Sequence, residues 1–158
     1  MRKEIELTAA FRKLLLTLLG ELSLEQINTI PPGFNNNLVW QLGHVIAVQQ
    51  AICYKRSQNA PVVADALIDL YKKDTRPQRP LSAEEYEELK QVSESSMAQL
   101  DKDFDDGVFA GFEAFTLGNG VEVASIQDAL VMIAAHEALH YGYAQALRRA
   151  VVGGNDPA

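Results

Sequence analysis

The chain has 158 residues, 47% hydrophobic and 22% charged, with 10 Gly and 6 Pro, which excludes a disordered, collagen-like or low-complexity chain and suffices for the core of one domain over residues 1–158. Lys and Arg total 14 against 21 Asp and Glu, a formal net charge of −7 with no basic run to track phosphates, so nucleic acid is not an expected partner. A single cysteine, Cys53, excludes an internal disulfide framework and any CxxC pair, and fits a reducing cytoplasm.

Glu4 and Glu6 interrupt any N-terminal apolar stretch, and the run from Leu14 to Leu19 is far shorter than the roughly 20 residues of a membrane span, so no membrane association is expected. Leu7, Phe11, Leu14, Leu18 and Leu22 recur at steps of four and three, which predicts a long amphipathic helix over about residues 2–28. Pro31, Pro32 and Gly33 break it, and the Asn35-Asn36-Asn37 cluster can cap a second helix over about residues 38–56. A short helical piece over residues 63–71 precedes a polar connection in which Pro77 and Pro80 forbid continuous helix. Ser82 with Glu85 forms a capping box, after which Tyr86, Leu89, Val92, Ser96, Leu100 and Phe104 trace a third long helix ending near Asp106-Gly107. Gly118-Asn119-Gly120, between FTL and VEV, predicts a small hairpin. Ser125 and Asp128 open the last helix, which reaches about Val152 before Gly153-Gly154 stops it. The expected fold is all-α: an antiparallel four-helix bundle with one long crossover and a short extra helix.

The three histidines, His44, His136 and His140, carry the functional signal. Residues four apart on a helix differ by about 40° in direction, so His136 and His140 share one face. Ile126, Ala129, Ile133, His136, His140, Tyr143 and Leu147 follow in steps of three and four, which places both imidazoles on an expected buried seam. A buried imidazole without a partner costs on the order of 1–3 kcal/mol, and a metal ion is the simplest partner that two neighbouring rings share. His44, on the inward stripe of Trp40, Ala47, Ala51 and Tyr54, is the expected third ligand, with Gly43 beside it allowing a close approach of a neighbouring element. Three neutral imidazoles leave an open position, the hallmark of catalytic rather than structural zinc sites. They suit Zn first, with Ni or Fe as alternatives.

His136-Glu137-Ala138-Leu139-His140 also reads HExxH. The metalloprotease reading ranks lower, because the 18 residues after His140 contain neither His nor Glu to complete a zincin ligand set. Glu137 is the candidate catalytic group, as a water-activating base or as a residue that orients an imidazole, set against the plainer reading of a solvated acid.

Two blocks resemble the DinB-like (DinB/YfiT) superfamily of metal-binding four-helix bundles. Asn36-Asn37-Leu38-Val39-Trp40-Gln41-Leu42-Gly43-His44 resembles its N-x-x-x-W-x-x-G-H helix start, and His136-Glu137-Ala138-Leu139-His140-Tyr141-Gly142 its H-E-x-x-H-x-G segment. The family often continues with glutamine, where this chain has Tyr143. The resemblance implies a divalent-metal triad of His44, His136 and His140, in a superfamily that includes thiol-dependent transferases and isomerases that use a low-molecular-weight thiol alongside many members with no known reaction.

The first functional expectation is therefore a metal-dependent enzyme acting on a small-molecule substrate, a thiol-dependent S-transferase or a hydrolase. Arg12, Lys13, Lys55 and Arg56 are candidates to attract an anionic thiol. The alternative is a non-catalytic metal-binding stress-response module that forms a homodimer, with Leu15, Leu16 and Leu19 as a second apolar face.

Overall fold

A computed structural model describes residues 2–153. Helices α1 (Lys3–Gly20), α2 (Leu24–Asn28), α3 (Leu38–Gln49), α4 (Asp65–Tyr71), α5 (Ala83–Asp105) and α6 (Ile126–Val152) carry nearly all of the regular structure, and strands β1 (Phe115–Thr116) and β2 (Glu122–Val123) form the small hairpin. The fold is all-α apart from that ribbon, whose antiparallel register pairs Phe115 with Val123 and Thr116 with Glu122. Helix α1 packs on α6, α6 on α3, α3 on α5, and α5 back on α1.

Local chemistry explains the boundaries. Asn37 caps α3 by accepting from the Trp40 N–H at 2.8 Å, and its own amide donates to the Asn28 carbonyl at 2.9 Å, which ties the cap to the end of α2. Ser82 and Glu85 form the reciprocal box that opens α5, and Ser125 accepts from Asp128 N–H at the start of α6. Gly153 ends α6 with φ of 91°, a left-handed conformation that favours glycine. The expected second helix keeps its span with a change of winding: Gln50–Tyr54 forms a π-helical turn and Lys55–Ser57 a 3-10 turn.

Two expectations about the first segment are corrected. The helix over residues 2–28 is two helices, because Ser23 and Gln26 make their own capping box, Gln26 N–H to Ser23 Oγ at 3.2 Å and Ser23 N–H to Gln26 Oε1 at 2.9 Å. The buried face of α1 is also only partly the leucine stripe, of which Leu18 lies in the core. Leu7 and Leu14 are each 44% exposed, whereas Ile5, Thr8, Arg12, Leu15 and Leu19 face inward. Leu15 and Leu19, expected to form a second apolar face for a dimer, therefore belong to this chain's own core.

The reason is Arg12. Its guanidinium is 2% exposed and faces Glu137 of α6, which is 1% exposed; Nε lies 2.9 Å from Oε1 and 3.2 Å from Oε2, and Nη2 also donates to Oε1. Nη2 donates further to Gln49 Oε1 of α3 at 3.2 Å, and Nη1 to Ser93 Oγ of α5 at 3.4 Å. Gln49 in turn donates to the Ser96 carbonyl at 3.1 Å. One arginine thus bonds side chains of the three other long helices.

Removing one partner of a buried ion pair leaves the other charge uncompensated, a loss of about 3–5 kcal/mol, whereas replacing both by apolar groups of similar volume is far less damaging. Arg12→Met is therefore expected to lower the urea midpoint strongly, and Arg12→Met with Glu137→Leu to recover most of the loss. Equal losses in the single and double variants would contradict a mutually compensating pair.

Candidate metal centre

The Asn37 cap sets the start of α3, and from it Trp40, Gln41 and His44 follow within two turns. His44 is 6% exposed and Gln41 1% exposed. Helix α6 brings His136 and His140, half-buried and one turn apart, against this part of α3. The three imidazoles offer one nitrogen each such that all lie within 4.8 Å of one another. Ring centroids are separated by 4.3 Å between His136 and His140, 4.7 Å between His44 and His140, and 5.2 Å between His44 and His136. All three sequence-predicted ligands therefore meet, although they come from positions about ninety residues apart in the chain.

Two of the rings are held from behind. His44 Nδ1 lies 2.7 Å from the backbone carbonyl of Tyr71. A carbonyl only accepts, so the proton sits on Nδ1 and the Nε2 lone pair of His44 is free. His140 Nδ1 lies 2.6 Å from Gln41 Oε1. On its flat side His44 stacks on Trp40, with centroids 4.4 Å apart and planes inclined by 12°. The indole N–H is fixed in turn by Thr75 Oγ1 at 3.1 Å. The end of α4 and the turn that follows therefore hold His44 twice, through the Tyr71 carbonyl and through the Thr75-anchored indole.

Gly43 makes this approach possible. A methyl group at position 43 would overlap the Tyr71 ring, so the expectation of a close neighbour at Gly43 is met by the end of α4. The sequence order Trp-x-x-Gly-His thus has a mechanical reading: the indole stacks on the imidazole, and the glycine admits the residue whose carbonyl orients it.

Electrostatically the cluster favours neutral imidazoles, the form that binds metal. Burial pushes His136 down to about 3, helped by His140, His44 and Arg12. Burial and the neighbouring His44 push His140 down to about 4. His44 is lowered by burial against the opposing effect of its bond to the Tyr71 carbonyl. The donor set, three neutral nitrogens with two rings oriented by hydrogen bonds, fits a divalent metal ion of borderline softness.

Other expected site residues stand differently. Glu137 is buried against Arg12, which excludes the solvated-acid reading. Tyr143, placed on the histidine seam by its spacing, is 41% exposed and meets Phe34 edge to face at 5.6 Å. Among the four cations expected to attract an anionic thiol, Arg12 is engaged by Glu137, Lys55 pairs with Asp65 at 2.7 Å, Arg56 lies over the Phe115 ring at 4.5 Å, and Lys13 is exposed. Gln41 and Tyr71 are the contributors that sequence reasoning missed. Gln41 falls one turn before His44, a signal that was present, whereas a backbone carbonyl leaves no mark in composition.

Two outcomes follow. Because the folded protein holds its histidines below the ordinary value of 6.5, it favours the neutral rings; the corresponding stability is present above about pH 6.5 and is lost as pH falls toward 4 and then 3. Chelator-treated protein is therefore expected to show a urea midpoint that drops between about pH 7 and about pH 4, with a smaller drop in His136→Phe; identical profiles for the two proteins would contradict it. Gly43→Ala is expected to destabilise the fold by about 1–3 kcal/mol through overpacking against Tyr71, read by thermal unfolding, and an unchanged midpoint would contradict the close approach.

A search of curated proteins gives no match. A scan against family profiles matches residues 7–144 to the DinB superfamily, a span that includes His44, His136, Glu137 and His140. With most of its length matched, this chain belongs to the DinB superfamily.

Proposed function

We propose that the protein is a divalent-metal-dependent enzyme acting on a small molecule, built as an antiparallel four-helix bundle, with thiol-dependent S-transfer as the first reaction class and hydrolysis as the second. The observation that carries this reading is the convergence of His44, His136 and His140 within 4.8 Å of one another, with two rings oriented from behind. Zinc is the first choice of ion for three imidazoles, with nickel or iron as alternatives. When bound, a divalent ion supplies Lewis acidity, so that a thiol or a water molecule loses its proton near neutral pH.

The chain's own residues divide the remaining work. His44 and His140 present nitrogens whose direction is set by Tyr71 and Gln41. Among the roles expected for Glu137, its pairing with Arg12 supports positioning: the pair fixes the rotation of α6 and so the side from which His136 and His140 project. The same pairing weighs against the HExxH protease reading, in which this carboxylate must be free to take a proton from water. The non-catalytic dimer reading loses its main support, since Leu15 and Leu19 lie in the core. A cytoplasmic location remains part of the proposal, consistent with the lone, buried Cys53, whose thiol burial pushes up to about 12.

Purified protein is expected to carry stoichiometric metal by elemental analysis after desalting. His140→Ala is expected to lose it, and Glu137→Gln, whose amide oxygen still accepts from Arg12, to retain it with affinity altered by about 10- to 100-fold at most. Thiol consumption against a panel of electrophiles is expected to vanish with chelator and return with metal. Full metal content in His140→Ala, or thiol consumption indifferent to chelation, would overturn the reading.

A further inference from the structure

We propose that Gln41 is the positioning residue of this centre: its side-chain oxygen takes the Nδ1 proton of His140, so that His140 presents Nε2 to the ion. The inference rests on the metal reading for its consequence, but its structural half stands on the polypeptide alone.

Gln41 is 1% exposed, and its Oε1 lies 2.6 Å from His140 Nδ1. A neutral imidazole has one nitrogen that donates and one that accepts. With an oxygen facing Nδ1, the proton resides there and the lone pair resides on Nε2. The arrangement mirrors that of His44, whose Nδ1 faces the Tyr71 carbonyl. Gln41 is the only one of the two holders that is a side chain, and so the only one that substitution can remove. It lies three residues before His44 on α3, which places ligand and holder about one turn apart on the same helix. Helix α3 therefore supplies one ligand itself and orients a second that arrives on α6. Among the described residues, the His136 ring has no hydrogen-bonded holder of this kind, so two of the three rings are oriented in advance.

The neutral amide also has a reason. Arg12 is already engaged by Glu137, and a second buried carboxylate at position 41 would stand uncompensated whenever no ion is bound. An amide oxygen fixes the ring without adding that charge. It also donates less electron density through the imidazole than a carboxylate would, leaving more Lewis acidity at the ion.

Nitrogen-15 NMR of the histidine rings in metal-free protein, paired with Co²⁺ titration followed by visible absorption, tests the proposal. In the unmodified protein His140 is expected to carry its proton on Nδ1, with Nε2 unprotonated. In Gln41→Leu the proton is expected to move to Nε2 or to exchange between the nitrogens, with Co²⁺ affinity falling about 10- to 100-fold. In Gln41→Glu, Co²⁺ affinity is expected to be regained, since the bound ion compensates the added charge, a rescue that a mere packing role would not produce. A proton on Nε2 of His140 in the unmodified protein overturns the proposal without any variant, as does unchanged Co²⁺ affinity in Gln41→Leu. If Co²⁺ fails to bind the unmodified protein while the Nδ1 proton is present there and lost in Gln41→Leu, the positioning by Gln41 is upheld and the metal reading falls.

Discussion

The buried pair of Arg12 and Glu137 is the constraint on which the rest of the molecule depends. A guanidinium and a carboxylate removed from water are tolerated only when their charges and hydrogen-bonding groups are satisfied, and here that requirement recruits Gln49 and Ser93 from two further helices. Geometry then propagates outward. With Glu137 pointed at the centre of the helical packing, His136 lies about 100° around α6 to one side and His140 about 60° to the same side, so both imidazoles face α3. A different rotation of α6 would bury the histidines among aliphatic side chains or turn them to water. The pair thus bears on the three-histidine cluster through the orientation of α6.

Helix α3 completes the centre by a different logic, that of close approach. Its face from Leu38 to Ala47 is buried throughout, and Gly43 leaves room for the Tyr71 ring on one side of it. That contact brings a backbone carbonyl to His44, while the Thr75 hydroxyl holds the indole stacked on the same imidazole. The end of α4 and the turn after it are therefore part of the site, since the Tyr71 carbonyl determines which nitrogen His44 can offer and Thr75 holds the indole against the ring. Rings held from behind lose less freedom when an ion binds, which raises affinity without adding a ligand.

Much of this was legible in the chain. The caps at Asn37, Ser82 and Ser125, the hairpin around Asn119 and the stop at Gly153 each rest on local chemistry, and local chemistry is what a sequence displays. The three-histidine cluster was legible because four-residue spacing fixes a face and the chain holds no other histidine. The core-facing side of α1 was not. Its leucines at 7 and 14 form a regular stripe, yet the inward face carries Thr8 and Arg12, and the partner that justifies burying Arg12 lies 125 residues away. Glu137 was ambiguous for the same reason. Tyr143 was misplaced: it stands only about 20° round α6 from His136 yet is 41% exposed and meets Phe34, while Leu147, the next residue of the same stripe, is buried again. The break at Ser23 was present as Ser-x-x-Gln, directly after the last leucine of the stripe at position 22.

The central claim is that three imidazoles from α3 and α6 hold one divalent ion through ring nitrogens. X-ray absorption at the zinc edge, on protein loaded with a single equivalent of Zn²⁺, tests it most directly. The account predicts three imidazole nitrogens at about 2.0–2.1 Å with the multiple-scattering signature of histidine, reduced to two in His44→Ala. A shell dominated by carboxylate oxygen, or one unchanged in His44→Ala, would contradict it.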